Sequence, residues 1–502
     1  MARPLHARTP HARLTRVLPL GLLLAWSAGC GCGSSAPTGD GPLPQRVLLI
    51  SLDTLRADHT GFGGYSKDTT PFLDSLAERG VVFDNHFSNS LCTLPSHATM
   101  LTGLHFPSHG VKPTGEGEPI TVLPHRAKTL AEKFQEAGYF TAGFTTHGAW
   151  LNELYGFDRG FDHFYSSWDG ADSIIERYLD LLDEAPQGNS FTFLHFFDIH
   201  SDNAQEGPCL PYRSSGKLVK EFAGERPPDF TGCSSRPGRE GVCASNYLKD
   251  LSNKVEPLPE DHLVFLKGLY DAGIRWLDGR LQGLFEELEQ RGMLEGTLIV
   301  ITSDHGESFF EHEKMLHDTH HDEVARVPFL VVLPESSGVA PHRVEALTQS
   351  TQLSATILDL MGLDPIGQVD SLAPAIMLGE EPEDGLVLFQ GHILIGTDEQ
   401  GEFKFVKTGR NRVPVFYDRT QDPGELTDLL GGDEGSVYKQ ENRERLTAIY
   451  ARFNELIDEC KDLNKLVRSG DGGGGDLTPE QYAELRALGY LGDEEEEGAQ
   501  EP

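Results

Sequence analysis

Apolar positions along the chain fall into two kinds of segment that alternate. Short runs rich in Val, Ile, Leu and Phe are typical of buried strands and lie at residues 46–53, 139–144, 191–197, 297–302 and 327–333. Other segments space their apolar positions as a helix does, at residues 70–77, 127–137, 172–184, 260–291 and 351–361. This alternation predicts an α/β fold with a doubly wound, mainly parallel sheet flanked by helices.

Changes in this pattern mark the predicted domains. The alternation covers residues 45–385, apart from a turn-rich insertion at residues 201–256. Short strand-like pieces after it predict a small C-terminal α+β subdomain over residues 386–465. A Gly-, Ser- and Pro-rich stretch at residues 30–44 is typical of a flexible tether. Residues 466–502 are predicted to hold a linker, a short amphipathic helix and an acidic tail.

Residues 1–29 have the pattern of a secretory signal. Four arginines precede a short apolar stretch at residues 18–26, which is too short to span a membrane, and small residues follow it. The ending Ala28-Gly29-Cys30 resembles a bacterial lipobox, which implies a lipid on Cys30 after cleavage. We therefore expect an exported lipoprotein anchored to the membrane of a bacterial cell envelope, with an ordinary cleaved signal as the alternative.

Composition narrows the possible partners. The chain of 502 residues has 42 Lys and Arg against 78 Asp and Glu, a formal charge of −36. Because binding to nucleic acid requires a basic face, this balance argues against it. Export permits disulfides, and one bridge is predicted within the group Cys209, Cys233 and Cys243, with the pairing left open.

The chemistry-bearing residues gather at one predicted edge of the sheet. Asp53 ends the first strand, and Asp304 and His305 follow the strand at 297–302. In open α/β sheets the ligand site lies at the carboxyl ends of the strands. Two acids and an imidazole there are typical ligands of a divalent cation, namely calcium, manganese or zinc. The segment Thr93-Leu94-Pro95-Ser96-His97 supplies a nearby hydroxyl.

Three ordered segments, at residues 49–59, 93–103 and 302–307, resemble the sulfatase family of the alkaline phosphatase superfamily, and the likeness runs from about residue 45 to 430. The resemblance implies an alkaline-phosphatase-like fold and a sulfuric or phosphoric ester hydrolase. It implies Asp53, Asp304 and His305 as metal ligands. The substrate it implies is an anionic ester, derived from a glycan or a lipid.

The nucleophile position departs from that family. Sulfatases make formylglycine from the first residue of C/S-x-P-S-R, which is Thr93 here, while Cys92 stands one residue too early. We therefore expect no formylglycine. A Thr beside Asp, Asp and His resembles the phosphodiesterases and the lipoteichoic-acid-synthase type of phosphotransferase in the same superfamily. This makes Thr93 the predicted nucleophile, activated by the metal.

The remaining site residues are predicted partly from the resemblance, which implies His200 and His317, and partly from their charge. His200 and His317 are the predicted assisting catalytic groups. The predicted substrate-binding residues are Lys112, Arg56 and His97. As an alternative, Asp198 could join His200 and His317 in holding a second metal. We expect three other histidines to be exposed loop residues, namely His312, His320 and His321.

Two rival functions stay open at this stage. The leading hypothesis is an exported, metal-dependent hydrolase that cleaves a sulfate or phosphate ester through Thr93. An envelope phosphotransferase would keep the same site but pass a phospho-alcohol head group to an acceptor other than water. A catalytically inactive binding module would retain only the fold.

Overall fold

A computed structural model describes most of the chain between residues 43 and 468. The described ranges are 43–113, 120–146, 150–186, 188–202, 210–232, 245–253, 258–367, 369–382, 385–407 and 413–468. Several predictions lie outside them: the signal at 1–29, lipidation of Cys30, nearly all of the tether, the cysteines of the insertion and the helix at 478–491.

The described residues form fourteen strands. They are β1 (Arg46–Leu52), β2 (Val81–Phe87), β3 (Phe140–Thr145), β4 (His163–Ser166), β5 (Ser190–Phe196), β6 (Thr297–Thr302), β7 (Ser308–Phe309), β8 (Met315–Leu316), β9 (Phe329–Val332), β10 (His342–Gln349), β11 (Val387–Phe389), β12 (Ile393–Asp398), β13 (Gly401–Val406) and β14 (Val415–Asp418). Eight of them make one sheet in the order β10-β2-β9-β6-β1-β5-β3-β4.

Thirteen α-helices lie in the same described ranges. They are α1 (Pro71–Ala77), α2 (Thr93–Thr102), α3 (Phe106–His109), α4 (Leu130–Glu136), α5 (Ala171–Glu184), α6 (Gly216–Phe222), α7 (Ser245–Ser252), α8 (Glu260–Gln290), α9 (Asp322–Ala325), α10 (Thr351–Leu360), α11 (Ala373–Leu378), α12 (Glu434–Glu441) and α13 (Arg443–Val467). Within the described part of the chain, none of them has both the length and the apolar character that crossing a bilayer requires.

The large sheet confirms the predicted fold. All of its pairings are parallel except those of β9, which runs antiparallel to both β2 and β6. Alternate residues of β1 enter different cores: Val47 and Leu49 pack on one face, and Leu48 and Ile50 on the other. Because both faces of the strand are buried, its sequence is a continuous apolar run, as parallel strands covered by helices require.

The small C-terminal subdomain is also confirmed. Strands β11 to β14 form a four-stranded antiparallel sheet, and α13 packs on it through Ile449, Phe453 and Cys460. This sheet carries the fully buried Lys404, whose ammonium group contacts the carboxylates of Asp322 and Glu425.

The end of α13 returns to the main domain. The Asn464 side chain donates a hydrogen bond to the Ser108 carbonyl at 2.7 Å, and the Arg468 Nε donates one to the His109 carbonyl at 3.0 Å. The C-terminal subdomain is thus fastened to the large domain at α3.

Candidate active site

Three adjacent strands bring the predicted metal ligands together. β1 lies between β5 and β6 and is parallel to both, so the three carboxyl ends meet at one edge. Asp53 follows β1, and Asp304 and His305 follow β6. All three side chains are fully buried, and one possible ligand atom from each lies within 4.8 Å of the others.

The donor atoms of this group fit a cation. Asp53 Oδ1, Asp304 Oδ2 and His305 Nε2 are buried and have no hydrogen-bond partner. The His305 Nδ1–H donates to the Gly306 carbonyl at 3.0 Å, which leaves the lone pair on Nε2. Buried polar atoms without partners are unfavourable, so a carboxylate–carboxylate–imidazole set of this kind is suited to a divalent cation.

The backbone after β1 fixes Asp304. Thr54 has a φ of 61°, and its amide donates to Asp304 Oδ1 at 3.1 Å. Its hydroxyl donates to the Ile199 carbonyl and so holds the turn rather than contributing a ligand. Burial raises the pKa of Asp53 well above its usual range, and the nearby Asp304 raises it further. Without a countercharge, the two acids therefore do not both ionise readily.

Thr93 lies at the N-terminus of α2, against Asp53. Its hydroxyl donates to Asp53 Oδ2 at 3.3 Å, and the side chain is almost entirely buried. The loop before α2 is held by Asn89, whose amide group donates to the Gln349 side chain and the Leu388 carbonyl. The structure thus places the predicted nucleophile directly beside the predicted metal ligands.

Cys92 precedes Thr93 and is a free thiol. Burial raises the pKa of its thiol to about 12, and the acids Asp318, Asp304 and Asp53 add to the shift. A thiol that resists ionisation in this way is a poor nucleophile.

His200 and His317 lie beside His305. Their ring centroids are 5.5 Å apart, and the His317 ring lies 4.6 Å from that of His305. The Asp202 amide donates to His200 Nδ1 at 3.1 Å, so in the neutral ring Nε2 carries the proton. Burial lowers the pKa of His317 well below its usual range, and His305 adds to the effect.

His97 lies beneath Thr93 rather than on the open side of the site. Its Nδ1–H donates to the Thr93 carbonyl at 2.8 Å, and its Nε2 is 2.9 Å from the Ser51 hydroxyl. Burial lowers the pKa of His97 to about 3. A neutral ring with both nitrogens engaged positions Thr93, and it does not offer a positive charge to an anionic ester.

Arg56 and Lys112 have different surroundings. The buried Arg56 guanidinium pairs with the carboxylates of Asp58 and Glu311 and donates to the Glu307 carbonyl. Arginine held in this way fits a positioning role better than direct contact with substrate. Lys112 is exposed, and its amide donates to the Thr121 hydroxyl. Its substrate-binding role stays a prediction.

The structure adds three residues to the site. His195, on β5, lies 3.1 Å from Asp53 Oδ2 through Nε2. The Glu307 carboxylate is fully buried with neither oxygen hydrogen-bonded. Lys249, on α7, is close enough to His317 to help lower its pKa. A signal for His195 was available, since a lone imidazole in an apolar strand requires a polar partner.

Asp198 accepts the Ala171 amide at the start of α5 and pairs with Arg213, and its place in a second metal site stays an alternative. One other expectation is corrected. The three histidines expected to be exposed are instead buried or half-buried in a stack. The ring centroids of His312 and His321 are 3.4 Å apart, and those of His320 and His321 are 4.4 Å apart.

Comparison with known proteins decides the family. The sequence profile described as Sulfatase matches residues 45–363. The chain belongs to the sulfatase family. It is therefore an ester hydrolase of the sulfuric or phosphoric class, as the motifs predicted.

Individual relatives agree with this assignment. An arylsulfatase of Clostridium perfringens is 23% identical, over 85% of this chain and 98% of its own. The Delta 4,5-hexuronate-2-O-sulfatase of Bacteroides thetaiotaomicron is 25% identical, over 86% of this chain and 92% of its own. Phosphonate monoester hydrolase of Agrobacterium radiobacter shares the fold of this sulfatase-family chain, with a TM-score of 0.62 and 20% identity over 82% of this chain and 96% of its own.

Proposed function

We propose that this sulfatase-family enzyme is a metal-dependent hydrolase that uses the Thr93 hydroxyl in place of formylglycine. The observation that carries the proposal is the 3.3 Å contact between the Thr93 hydroxyl and Asp53, beside three buried donor atoms without partners. Asp53, Asp304 and His305 would hold a divalent cation. When bound, the cation supplies positive charge that favours ionisation of a nearby hydroxyl and polarises the ester.

Thr93 would act in two displacements. Its oxygen attacks the sulfur or phosphorus, the bond to the substrate's alcohol oxygen breaks, and the sulfuryl or phosphoryl group is transferred to Thr93. Water then attacks the same atom, the bond to the Thr93 oxygen breaks, and sulfate or phosphate leaves. Asp53 accepts the hydrogen bond of the Thr93 hydroxyl, orients it and would take its proton in the first displacement. The proton that water loses in the second displacement returns to the Thr93 oxygen.

His200 is the group we assign to the leaving alcohol. Because Asp202 donates to Nδ1, the proton of the neutral ring is on Nε2, which can donate a hydrogen bond to the departing oxygen and stabilise its negative charge until water protonates it. The half-buried His317 ring, next to both His200 and His305, would hold the oxygens of the transferred group.

The substrate we propose is an anionic ester of a glycan. A relative that matches 86% of this chain is named as a sulfatase of an unsaturated hexuronate, and this supports a sugar as the esterified group. We also propose that the protein is exported and anchored by a lipid on Cys30, which rests on the sequence of residues 1–30.

Paired substitutions at Thr93 and Cys92 test the nucleophile. We expect Thr93→Ala to lower kcat by about a thousandfold or more with metal binding largely kept, because it removes the oxygen that forms the covalent intermediate. Cys92→Ala is the matched control, one residue away, and should keep most of the activity. Thr93→Ser should restore part of the rate. Turnover by an ester panel and metal content by elemental analysis provide the measurements.

A residual rate above about a tenth in Thr93→Ala would instead indicate attack by water. Mass spectrometry of the peptide around residues 80–110 adds an independent check. An aldehyde at position 92 or 93 would overturn the assignment and restore the ordinary formylglycine mechanism. The panel should contain aryl sulfate, phosphate monoester, phosphate diester and phosphonate, so that transfer to added glycerol or sugar would reveal a phosphotransferase.

A further inference from the structure

A line of aromatic rings leads away from the candidate active site. The ring of His317 lies 4.6 Å from that of His305 and 5.5 Å from that of His200. The His200 ring stacks on the Phe197 ring with a centroid distance of 4.2 Å. The Phe197 ring in turn packs edge-on against the Trp168 ring, with a centroid distance of 6.3 Å. Trp168 is therefore separated from the catalytic imidazoles by one buried phenyl ring.

Trp168 is unusual in its exposure. It is 41% exposed, whereas Trp150 and Trp276 are 1% and 9% exposed. Tryptophan is normally well buried, because its ring carries a large apolar area. An exposed indole that a single phenyl ring joins to the candidate catalytic histidines offers a flat apolar face to a ligand held there.

A cation lies beside the same segment. A methyl group on Gly170 would lie only 1.7 Å from Arg213 Nη1, so the guanidinium packs directly on the chain two residues after Trp168. Two contacts orient Arg213. Its Nη1 lies 3.4 Å from Asp198 Oδ1, and its Cζ lies 5.1 Å from the centroid of the Trp276 ring. Its side chain remains 35% exposed. An exposed apolar ring and an accessible, oriented guanidinium thus lie along one short stretch of chain, next to the line of rings that reaches His317.

We propose that Trp168 and Arg213 form a sugar-binding subsite for an acidic oligosaccharide whose esterified residue lies at Thr93. This rests on the proposed function for the location of the ester. One face of a pyranose carries C–H groups that pack on an indole ring. A guanidinium forms paired hydrogen bonds with a carboxylate or sulfate on the neighbouring sugar. The subsite would give the enzyme its preference for acidic glycans over small esters.

Fluorescence tests the subsite without requiring turnover. The contribution of Trp168 is the difference between wild type and Trp168→Phe, and acrylamide is a suitable quencher because it is uncharged. The probes are size-fractionated heparin and chondroitin sulfate oligosaccharides, with methyl sulfate as the sugar-free anion. We expect an oligosaccharide to reduce quenching of Trp168 by about half, since it would cover the exposed face of the indole, and methyl sulfate to leave it unchanged. If neither oligosaccharide protects Trp168, the proposal is wrong.

Kinetics with the protecting oligosaccharide provide the second test. Trp168→Ala should raise KM about tenfold with kcat nearly unchanged, because a stacking contact of this kind is worth about that factor. Trp168→Tyr should recover part of the loss. Tyr450→Ala is the matched control, since Tyr450 is 42% exposed but lies on α13. An equal rise in KM for Tyr450→Ala, or a loss confined to kcat, would overturn the subsite.

The two proposals fail in different ways. Protection of Trp168 without turnover of any ester would keep the subsite and reject the hydrolytic role of Thr93. Turnover of the oligosaccharide without protection would keep the chemistry and reject the subsite.

Discussion

The molecule buries two groups of carboxylates and neutralises them differently. At the edge of the large sheet, Asp53 and Asp304 are fully buried, and among the described residues only histidines lie within ion-pair distance of them. Next to the C-terminal sheet, Asp322 and Glu425 pair with Lys404, and Arg419 adds a second permanent charge. Buried acids need a countercharge, and the protein supplies it in only one of the two places.

The difference separates a site that needs a cation from one that does not. In the C-terminal group, Lys404 and Arg419 balance Asp322 and Glu402, which leaves Glu425 as the surplus acid. Burial raises the pKa of Glu425 to about 8, and the charge on Asp322 adds to this shift. The group is therefore neutral once Glu425 binds a proton, whereas the edge group would reach a similar balance by binding the metal that we propose for it.

The largest expected effect follows from removing one charge at the edge. Asp304→Asn should lose the bound metal and lower kcat/KM by about ten-thousandfold, equivalent to about 5.5 kcal/mol, because a ligand and its charge disappear together. Elemental analysis and the ester panel measure the two losses, with circular dichroism to check folding. Asp322→Asn is the matched control and should keep its metal. Unchanged metal content in Asp304→Asn would show that the ligand assignment is wrong.

Removing a cation from the other group should affect stability instead. Lys404→Met removes the ammonium partner of the buried Glu425 and the half-buried Asp322, which keep only Arg419, so we expect a loss of about 3 kcal/mol in the free energy of unfolding. Denaturant titration measures it, and the metal content of the folded variant should match wild type. Wild-type stability in Lys404→Met would mean that the group is not held by charge balance.

Glu425 should make stability depend on pH. Its pKa of about 8 in the folded protein is above its ordinary value of 4.5, so its contribution to stability is fully present below pH 4.5 and is lost as the pH rises through 8. We expect a loss on the order of 3 kcal/mol across that window, given about 1.4 kcal/mol per unit and the shared charges. Thermal unfolding of wild type and Glu425→Gln at pH 5, 6.5 and 8.5 isolates the effect. Parallel pH profiles for the two proteins would contradict the assignment.

Metal removal should give the smallest change. A cation at about thirty times its Kd stabilises the folded state by about 2 kcal/mol, so dialysis against a chelator should lower Tm by several degrees. The same treatment should leave Asp304→Asn unaffected. A Tm shift of equal size in both proteins would indicate that the chelator acts elsewhere.

Sequence predicted the edge residues because each of them ends an apolar run. Asp53, Asp304 and His305 follow strands whose parallel arrangement alone brings their ends together. A lone imidazole in an apolar strand signals that His195 needs a polar partner, but its contact with Asp53 could not be predicted in this way. It depends on the register that places His195 opposite Ser51, and a buried apolar strand carries no mark of register on its faces.

The apolar pattern of the sequence also did not predict the direction of one strand or the contacts between residues far apart in the chain. The run at 327–333 predicted a strand, but its antiparallel direction as β9 depends on the short connection from β8 through α9, which apolar spacing does not encode. The buried Lys404 lies in a strand of alternating character that predicts an exposed lysine. The ammonium group can be buried only because the folded chain brings the carboxylates of Asp322 and Glu425 into contact with it.

The contacts between the C-terminal subdomain and the large domain limit how chimaeras of members of this family can be made. A chimaera that joins two relatives near residue 386 would separate Lys404 from Asp322, and Arg468 from the His109 carbonyl. Each half of the chimaera would then keep a buried charge or carbonyl whose original partner had been replaced by a residue from the other parent protein. Exchange of whole C-terminal pieces should therefore succeed only when the partner residues at Asp322 and around α3 are transferred as well.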